Sequence, residues 1–177
     1  MESIKKIIPS DFTKAIEIAK KEYGTEFYID GGCAVMAALL ADVAKNKNEF
    51  GEFLILIRVT DGDSYVSHVC FHHNETKDTY DISGGDDAEE RWTTKIINEC
   101  REMREEDPAF ETESISFDKT SDIYEVLKVI SSDYFLSIGS KWVEENYKSL
   151  RDKVLYNIDL LPNIENDEHK YSSYLNP

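Results

Sequence analysis

The feature that most constrains the fold is an apolar stretch that directly follows two glycines. Residues 33–44 read CAVMAALLADVA, so apolar side chains cover nearly every side of the helix that this stretch predicts. A helix that is hydrophobic nearly all round is buried inside a protein. We therefore predict a central buried helix at 33–44, which begins at Cys33 immediately after Gly31 and Gly32.

The segments after this helix are typical of a small antiparallel sheet. Residues 53–59 are an apolar run of strand length, and the turn residues 60–63 follow it. Residues 65–73 and 76–82 predict a second and a third strand joined as a hairpin. The chain is therefore predicted to be an α+β domain in which the buried helix packs on this sheet.

The spacing of apolar residues predicts further helices around this core, and the fold ends in a polar tail. The predicted domain covers 1–161, with its core at 29–84, a mostly helical extension at 86–161 and a tail at 162–177. The other predicted elements are a helix at 10–23 ended by Gly24, a charged helix ended by Pro108, a short strand at 114–117, and helices around 123–130 and 138–155.

The charge balance excludes some classes of partner. The chain has 20 basic and 36 acidic residues, a net charge of −16, and so repels the phosphates of nucleic acids. This charge fits a basic partner protein, simple solubility, or mimicry of a nucleic acid. No apolar segment has the length of a membrane span, and the N-terminus lacks the pattern of a signal peptide. We expect a cytoplasmic protein that contacts no membrane.

The three cysteines predict neither a disulfide framework nor a closed zinc site, because their number is odd and no C-x-x-C pair occurs. Among them, Cys33 has the most distinctive setting. The first turn of a helix presents unpaired N–H groups and a partial positive charge, and both favour a thiolate. The N–H of Cys33 is also placed to donate to an oxyanion. Cys33 is therefore a candidate nucleophile that needs no cofactor.

A thiol nucleophile needs a base and a group that orients the base, and the predicted hairpin supplies both. If a two-residue loop at Asn74-Glu75 joins the strands, His68 lies directly opposite Asp81 on one face of the sheet. Directly opposed side chains are close enough for a carboxylate to orient an imidazole. We therefore expect Cys33, His68 and Asp81 to act together.

The order of a Gly-Gly-Cys helix start, a strand histidine and an aspartate on the next strand resembles the papain-like and transglutaminase-like cysteine hydrolases. The matching stretches are YIDGGCAVMAALL, SHVCF and TYDISG, which cover about a third of the chain. The resemblance implies acyl transfer through a thioester on an amide or peptide bond of a protein or peptide substrate. It also implies that Gly31, Gly32 and Tyr28 line the oxyanion and substrate loop. Ala34 replaces the usual aromatic residue, and the chain contains no Gln for the oxyanion hole.

The same residues have other readings. His68, Cys70 and His72 alternate along one strand, so they share a face and form a possible zinc site. We expect instead that Cys70 belongs to the sheet core and that His72 and His73 flank a solvated turn. We interpret Trp92 and Trp142 as core anchors.

The acidic segment 86–113 has eleven acidic and four basic residues, which is typical of a solvated helix face. Its functional alternative is a surface for a basic partner. The second hypothesis for the whole chain is accordingly a non-catalytic acidic binding protein, such as an inhibitor, an immunity protein or an anti-defence protein. Such a protein would use the hydrolase-like fold only as a scaffold.

Overall fold

The computed structural model describes residues 9–29, 31–85, 87–133 and 139–159. They form helices around a four-stranded antiparallel sheet, in agreement with the predicted α+β class. The predicted tail at 162–177 lies outside the described residues. The helices are α1 (Pro9–Ile29), α2 (Cys33–Lys45), α3 (Ala88–Glu102), α4 (Ile123–Asp133), α5 (Ser140–Trp142), a π-helical turn (Val143–Tyr147) and α6 (Lys148–Asn157). The strands are β1 (Gly51–Thr60), β2 (Asp63–His73), β3 (Thr79–Tyr80) and β4 (Ala109–Phe117).

Helix α2 is the centre of the molecule, as its composition predicts. Every residue from Cys33 to Ala44 is buried, and the helix packs against α1, α4, α6 and the sheet. Helix α1 has a kink at Gly24, whose φ of 77° is readily adopted only by glycine. The predicted end of the first helix is therefore a kink, and helical structure resumes as far as Ile29.

The sheet has the strand order β3-β2-β1-β4, with both sheet faces partly covered by helices. Val69 and Phe71 of β2 point into the main core with α1 and α2. Because side chains alternate along a strand, His68 and Cys70 point to the opposite face, where α3 lies. A register shift between Leu56 and Ile57 of β1 leaves Ser67 of β2 as an extra residue, which is a β-bulge.

Two strands differ in length from the prediction. The third strand was predicted at 76–82, but β3 contains only Thr79 and Tyr80, because the chain then turns so that Asp81 bridges Gly84. The short strand predicted at 114–117 is part of β4, which pairs with β1 along its whole length from Val59↔Ala109 to Gly51↔Phe117. The second half of the chain thus supplies an edge strand of the sheet.

The helices after β4 cover the other side of α2. A π-helical turn carries Tyr147 into the core, where its hydroxyl donates a 2.6 Å hydrogen bond to the carboxylate of Asp42. Burial raises the pKa of Asp42 to about 6, although the hydrogen bond from Tyr147 opposes this shift. Within the described ranges, no helix combines the length and apolar character that a membrane crossing requires.

Candidate functional site

The β-bulge at Ser67 lies directly before His68. An extra residue in a strand increases the local twist and changes the direction of neighbouring side chains. Here both Ser67 and His68 approach Trp92 of α3. The indole N–H of Trp92 donates to Ser67 Oγ at 3.0 Å, and its ring stacks on the His68 imidazole with 4.1 Å between ring centroids. The stack fixes the plane of the imidazole from the α3 side.

Asp81 fixes the imidazole from a second direction. His68 Nε2 lies 3.1 Å from Asp81 Oδ2, and both side chains are buried. The other carboxylate oxygen, Oδ1, accepts hydrogen bonds from the N–H of Ser83 and from the guanidinium of Arg91. Burial alone would raise the pKa of Asp81, but the hydrogen bond to His68, with help from Ser83 and Arg91, lowers it below its usual value.

The predicted register between His68 and Asp81 is wrong, yet the two side chains meet. In the structure Phe71 pairs with Tyr80 and His72 with Thr79, a shift of two residues from the prediction. Asp81 lies beyond the end of β3. A shift by an even number keeps every side chain on its face, so His68 and Asp81 become diagonal neighbours rather than directly opposed ones. Their 3.1 Å contact survives because Asp81 begins the turn to Gly84.

The other imidazole nitrogen has no hydrogen-bond partner. His68 Nδ1 is buried and finds none among the described residues. Leaving a buried nitrogen without a partner costs about 1–3 kcal/mol, so such atoms are rare in folded proteins. The thiol of Cys33 interacts with the ring, and this interaction is a reason for the nitrogen to be kept without another partner. Burial lowers the pKa of His68, but Asp81 and Cys33 outweigh it and raise this pKa to about 9.

Cys33 opens the buried helix, as the sequence predicts, and only 6% of its surface is exposed. The first hydrogen bond of the helix runs from Met36 N–H to Gly32 O, so the N–H of Cys33 belongs to the first turn, which has no acceptor within the helix. The thiol at this helix N-terminus interacts with the His68 ring. Both lie beyond the end of β3, where none of the described strands pairs with this side of β2.

Glycine is needed at positions 31 and 32, just before Cys33, for two different structural reasons. Gly31 has a φ of 115°, which favours glycine. Gly32 donates its N–H to Phe27 O at 3.0 Å, and a Cβ at Gly32 would lie 2.6 Å from that same oxygen. Both glycines thus allow the chain to turn tightly between Phe27 and the helix. This arrangement leaves the approach to Cys33 free of side chains from residues 31 and 32.

Tyr28, the third residue of the predicted substrate loop, is at the end of α1. Its side chain is completely buried, and its hydroxyl donates to Ala19 O at 3.1 Å. Burial raises the pKa of this hydroxyl well above its ordinary value. The Tyr28 hydroxyl therefore forms its hydrogen bond inside the core.

Cys70 is completely buried in the sheet, as expected, and burial raises the pKa of its thiol. In the described part of the chain, no three His, Cys, Asp or Glu side chains are grouped closely enough to hold a metal ion. Trp142 packs against the main core, as expected, whereas Trp92 stacks on His68 on the other face of the sheet. No local pattern indicates this contact, because Trp92 and His68 are 24 residues apart in the chain.

The expectation of a solvated turn is wrong for His73. Its side chain is fully buried, with Nε2 at 2.7 Å from Glu49 Oε2 and Nδ1 at 3.2 Å from Thr76 Oγ1. Phe12 contacts the ring edge-on. Glu49 lies in a segment whose composition indicates a polar connection, so the buried pair could not be recognised from the sequence.

No family model, curated protein or solved structure matches this chain.

Proposed function

We propose that the chain is a cysteine-dependent hydrolase or acyltransferase that acts on an amide or peptide bond through a thioester. One observation carries the proposal: a buried histidine has Nε2 held by Asp81, its Nδ1 finds no hydrogen-bond partner among the described residues, and Cys33 acts on the ring to raise its pKa. In this proposal Cys33 is the nucleophile, His68 is the acid and base, and Asp81 orients the imidazole. These roles fit the general requirements of thiol catalysis.

The raised pKa of His68, about 9, supports a resting state in which the imidazole is protonated near neutral pH. An imidazolium next to the sulfur stabilises a thiolate. The thiolate attacks the carbonyl carbon, and the oxyanion that forms accepts a hydrogen bond from the Cys33 N–H. His68 then gives its proton to the leaving amine as the C–N bond breaks, which leaves a thioester and a neutral imidazole.

The second half of the reaction uses the same groups in reverse. Neutral His68 takes a proton from water, or from an acceptor amine, as that nucleophile attacks the thioester carbonyl. Collapse of the intermediate expels the Cys33 thiolate and restores the imidazolium. Asp81 stays ionised throughout, because Ser83 and Arg91 hold the oxygen that does not face His68.

The first test is the rate of iodoacetamide alkylation of each cysteine, followed by mass spectrometry across a pH series. We expect Cys33 to react faster than Cys70 and Cys100 at neutral pH, and His68→Ala to remove most of this excess. His72→Ala is the matched control, since His72 lies on the same strand and outside the site. Equal rates for Cys33 in wild type and His68→Ala would refute the thiolate–imidazole pair.

Activity is tested with a library of fluorogenic peptide amides. Cys33→Ala should abolish turnover and any covalent acyl-enzyme while the far-UV circular dichroism spectrum is unchanged. Turnover retained by Cys33→Ala would overturn the assignment of the nucleophile.

A second candidate function is a non-catalytic acidic binding protein on the same scaffold. The burial of both reactive groups favours it, since 6% of Cys33 and 1% of His68 are exposed. The net charge of −16 also favours a basic partner. Its discriminating experiment is capture of a partner that survives Cys33→Ala and weakens as salt is raised.

A further inference from the structure

We propose that the outer edge of β4 is a docking site for an extended, lysine- or arginine-rich segment of another protein, which would add to the sheet as a fifth strand. This proposal is independent of the catalytic assignment. It starts from the position of β4, which ends the strand order β3-β2-β1-β4. The edge strand of a sheet presents a row of N–H and C=O groups that can pair with another chain.

β4 is long for an edge strand, and most of its residues are exposed. It has nine residues, and only Phe117 at its end is buried. Its described backbone bonds run to β1, and no other backbone group within the described ranges pairs with residues 109–117. Short edges, bulges and covering helices are the usual protections of a sheet edge. The register from Ala109 to Phe117 is regular and contains no bulge, and the strand is not short.

The charge of residues 105–118 determines which kind of strand can pair with β4. Residues 105–118 contain six acidic side chains and no basic one. Glu111 and Glu113 are exposed on the strand itself. If two copies of the chain paired antiparallel about Thr112, Glu111 of each would oppose Glu113 of the other, and like charges directly opposed destabilise a sheet. The edge therefore disfavours a second copy and favours a strand that carries positive charge.

A groove continues from the start of β4. It has a volume of about 690 Å³ and lies between the β1–β2 turn and residues 104–109. Asp61, Glu105, Glu106 and Asp107 line it, together with Arg58 and Arg104. Arg58 donates a hydrogen bond to the Cys100 sulfur at 3.1 Å, and Asp107 forms an ion pair with Arg101. Asp61, Glu105 and Glu106 are therefore the carboxylates that a basic side chain of a partner would meet. A peptide paired along β4 would continue into this groove and place a basic side chain among its carboxylates.

The test uses the full chain and a fluorescent peptide of alternating lysine and valine, with binding measured by fluorescence anisotropy. We expect binding that weakens when salt is raised from about 0.05 M to about 0.5 M. Glu111→Lys should weaken binding about fivefold or more, because it replaces an attraction by a repulsion. Glu144→Lys, the same charge change at an exposed helical position outside the sheet, is the matched control and should change the affinity far less.

Hydrogen exchange distinguishes strand addition from general electrostatic attraction. In the free protein we expect every second amide of β4 to exchange rapidly, and the lysine–valine peptide should protect these amides. The same peptide with N-methylated backbone amides keeps its charge but cannot form the ladder, so it should bind at least tenfold more weakly. Equal binding of the methylated peptide, or rapid exchange of β4 amides in the complex, would overturn the proposal. So would β4 amides that are all protected in the free full-length chain, since the edge would then already be covered.

Discussion

Strand β2 carries two buried histidine–carboxylate pairs that differ in one respect. His73 has both ring nitrogens occupied, one by Glu49 and one by Thr76. His68 has Nε2 on Asp81, whereas its Nδ1 finds no partner among the described residues. A histidine with both nitrogens satisfied holds a structure together. One that keeps a buried nitrogen open retains the capacity to accept or give a proton, and this difference separates the candidate catalytic histidine from the structural one.

The two histidines should differ most in the loss of turnover when each is replaced by alanine. His68→Ala should lower turnover of any peptide amide substrate by about 10²–10⁴-fold, because general acid–base catalysis contributes that much. His73→Ala should leave the turnover of the folded fraction within about twofold. Single-turnover kinetics on active-site-titrated protein would measure both. A comparable kinetic loss in the two variants would remove the distinction.

The same two substitutions should affect the free energy of unfolding in the opposite order, with the larger loss for His73→Ala. His73→Ala removes one partner of buried Glu49 and two hydrogen bonds, at a cost of about 3 kcal/mol in the free energy of unfolding. His68→Ala should cost less when unfolding is measured above pH 9, where the imidazole is neutral in the folded state too, since the substitution also removes an unsatisfied nitrogen. Urea denaturation followed by fluorescence measures both values. A larger loss for His68→Ala would mean that the open nitrogen does not lower the stability of this site.

The pKa of His68 should also distinguish it from an ordinary histidine. His68 should titrate with a pKa near 9, against 6.5 for an ordinary histidine, and NMR of its ring protons would measure this. Cys33→Ala and Asp81→Asn should each lower the pKa, because each removes one of the interactions that raise it. Since the folded state binds this proton more tightly, the stabilisation is complete below pH 6.5 and is lost as the pH rises through about 9. A His68 pKa unchanged by Cys33→Ala would contradict the contact between thiol and ring.

The smallest expected effect concerns Arg91, which is partly exposed. Arg91→Met should raise the pKa of Asp81 slightly and lower turnover a few-fold, because Ser83 still holds the same carboxylate oxygen. The control is Arg101→Met, which removes a guanidinium from the same helix but only breaks an exposed pair with Asp107. Identical kinetics for the two variants would show that Arg91 does not position Asp81.

A structural feature could be predicted from the sequence where the residues of that segment alone determine it. The burial of α2 follows from its composition, and so does its start at Cys33 after two glycines. The β2–β3 register could not be predicted in this way. The loop spans residues 74–78, and Lys77 within it has a φ of 66°. Lysine rarely adopts this conformation, so its presence does not indicate such a loop. The face shared by His68 and Asp81 was still predicted, since an error of two residues preserves the alternation.

The contacts that the prediction missed come from residues distant in sequence. Trp92 reaches His68 because α3 crosses the sheet, and Glu49 reaches His73 because β1 and β2 are antiparallel. Nothing in the local pattern around either histidine distinguishes a buried residue from a solvated one. The side-chain partners that separate the two histidines are therefore tertiary information.

The bulge at Ser67 has a consequence for how relatives of this chain could be found. A bulge is one extra residue in a strand, so a chain without it would pair regularly and be one residue shorter between the β1–β2 turn and its histidine. The interval of 35 residues from Cys33 to His68 would then shrink by one while the histidine kept its pairing with Leu56 of β1. Searches that fix the spacing between these residues would miss such chains, whereas a search by the spatial arrangement of thiol, imidazole and carboxylate would retain them.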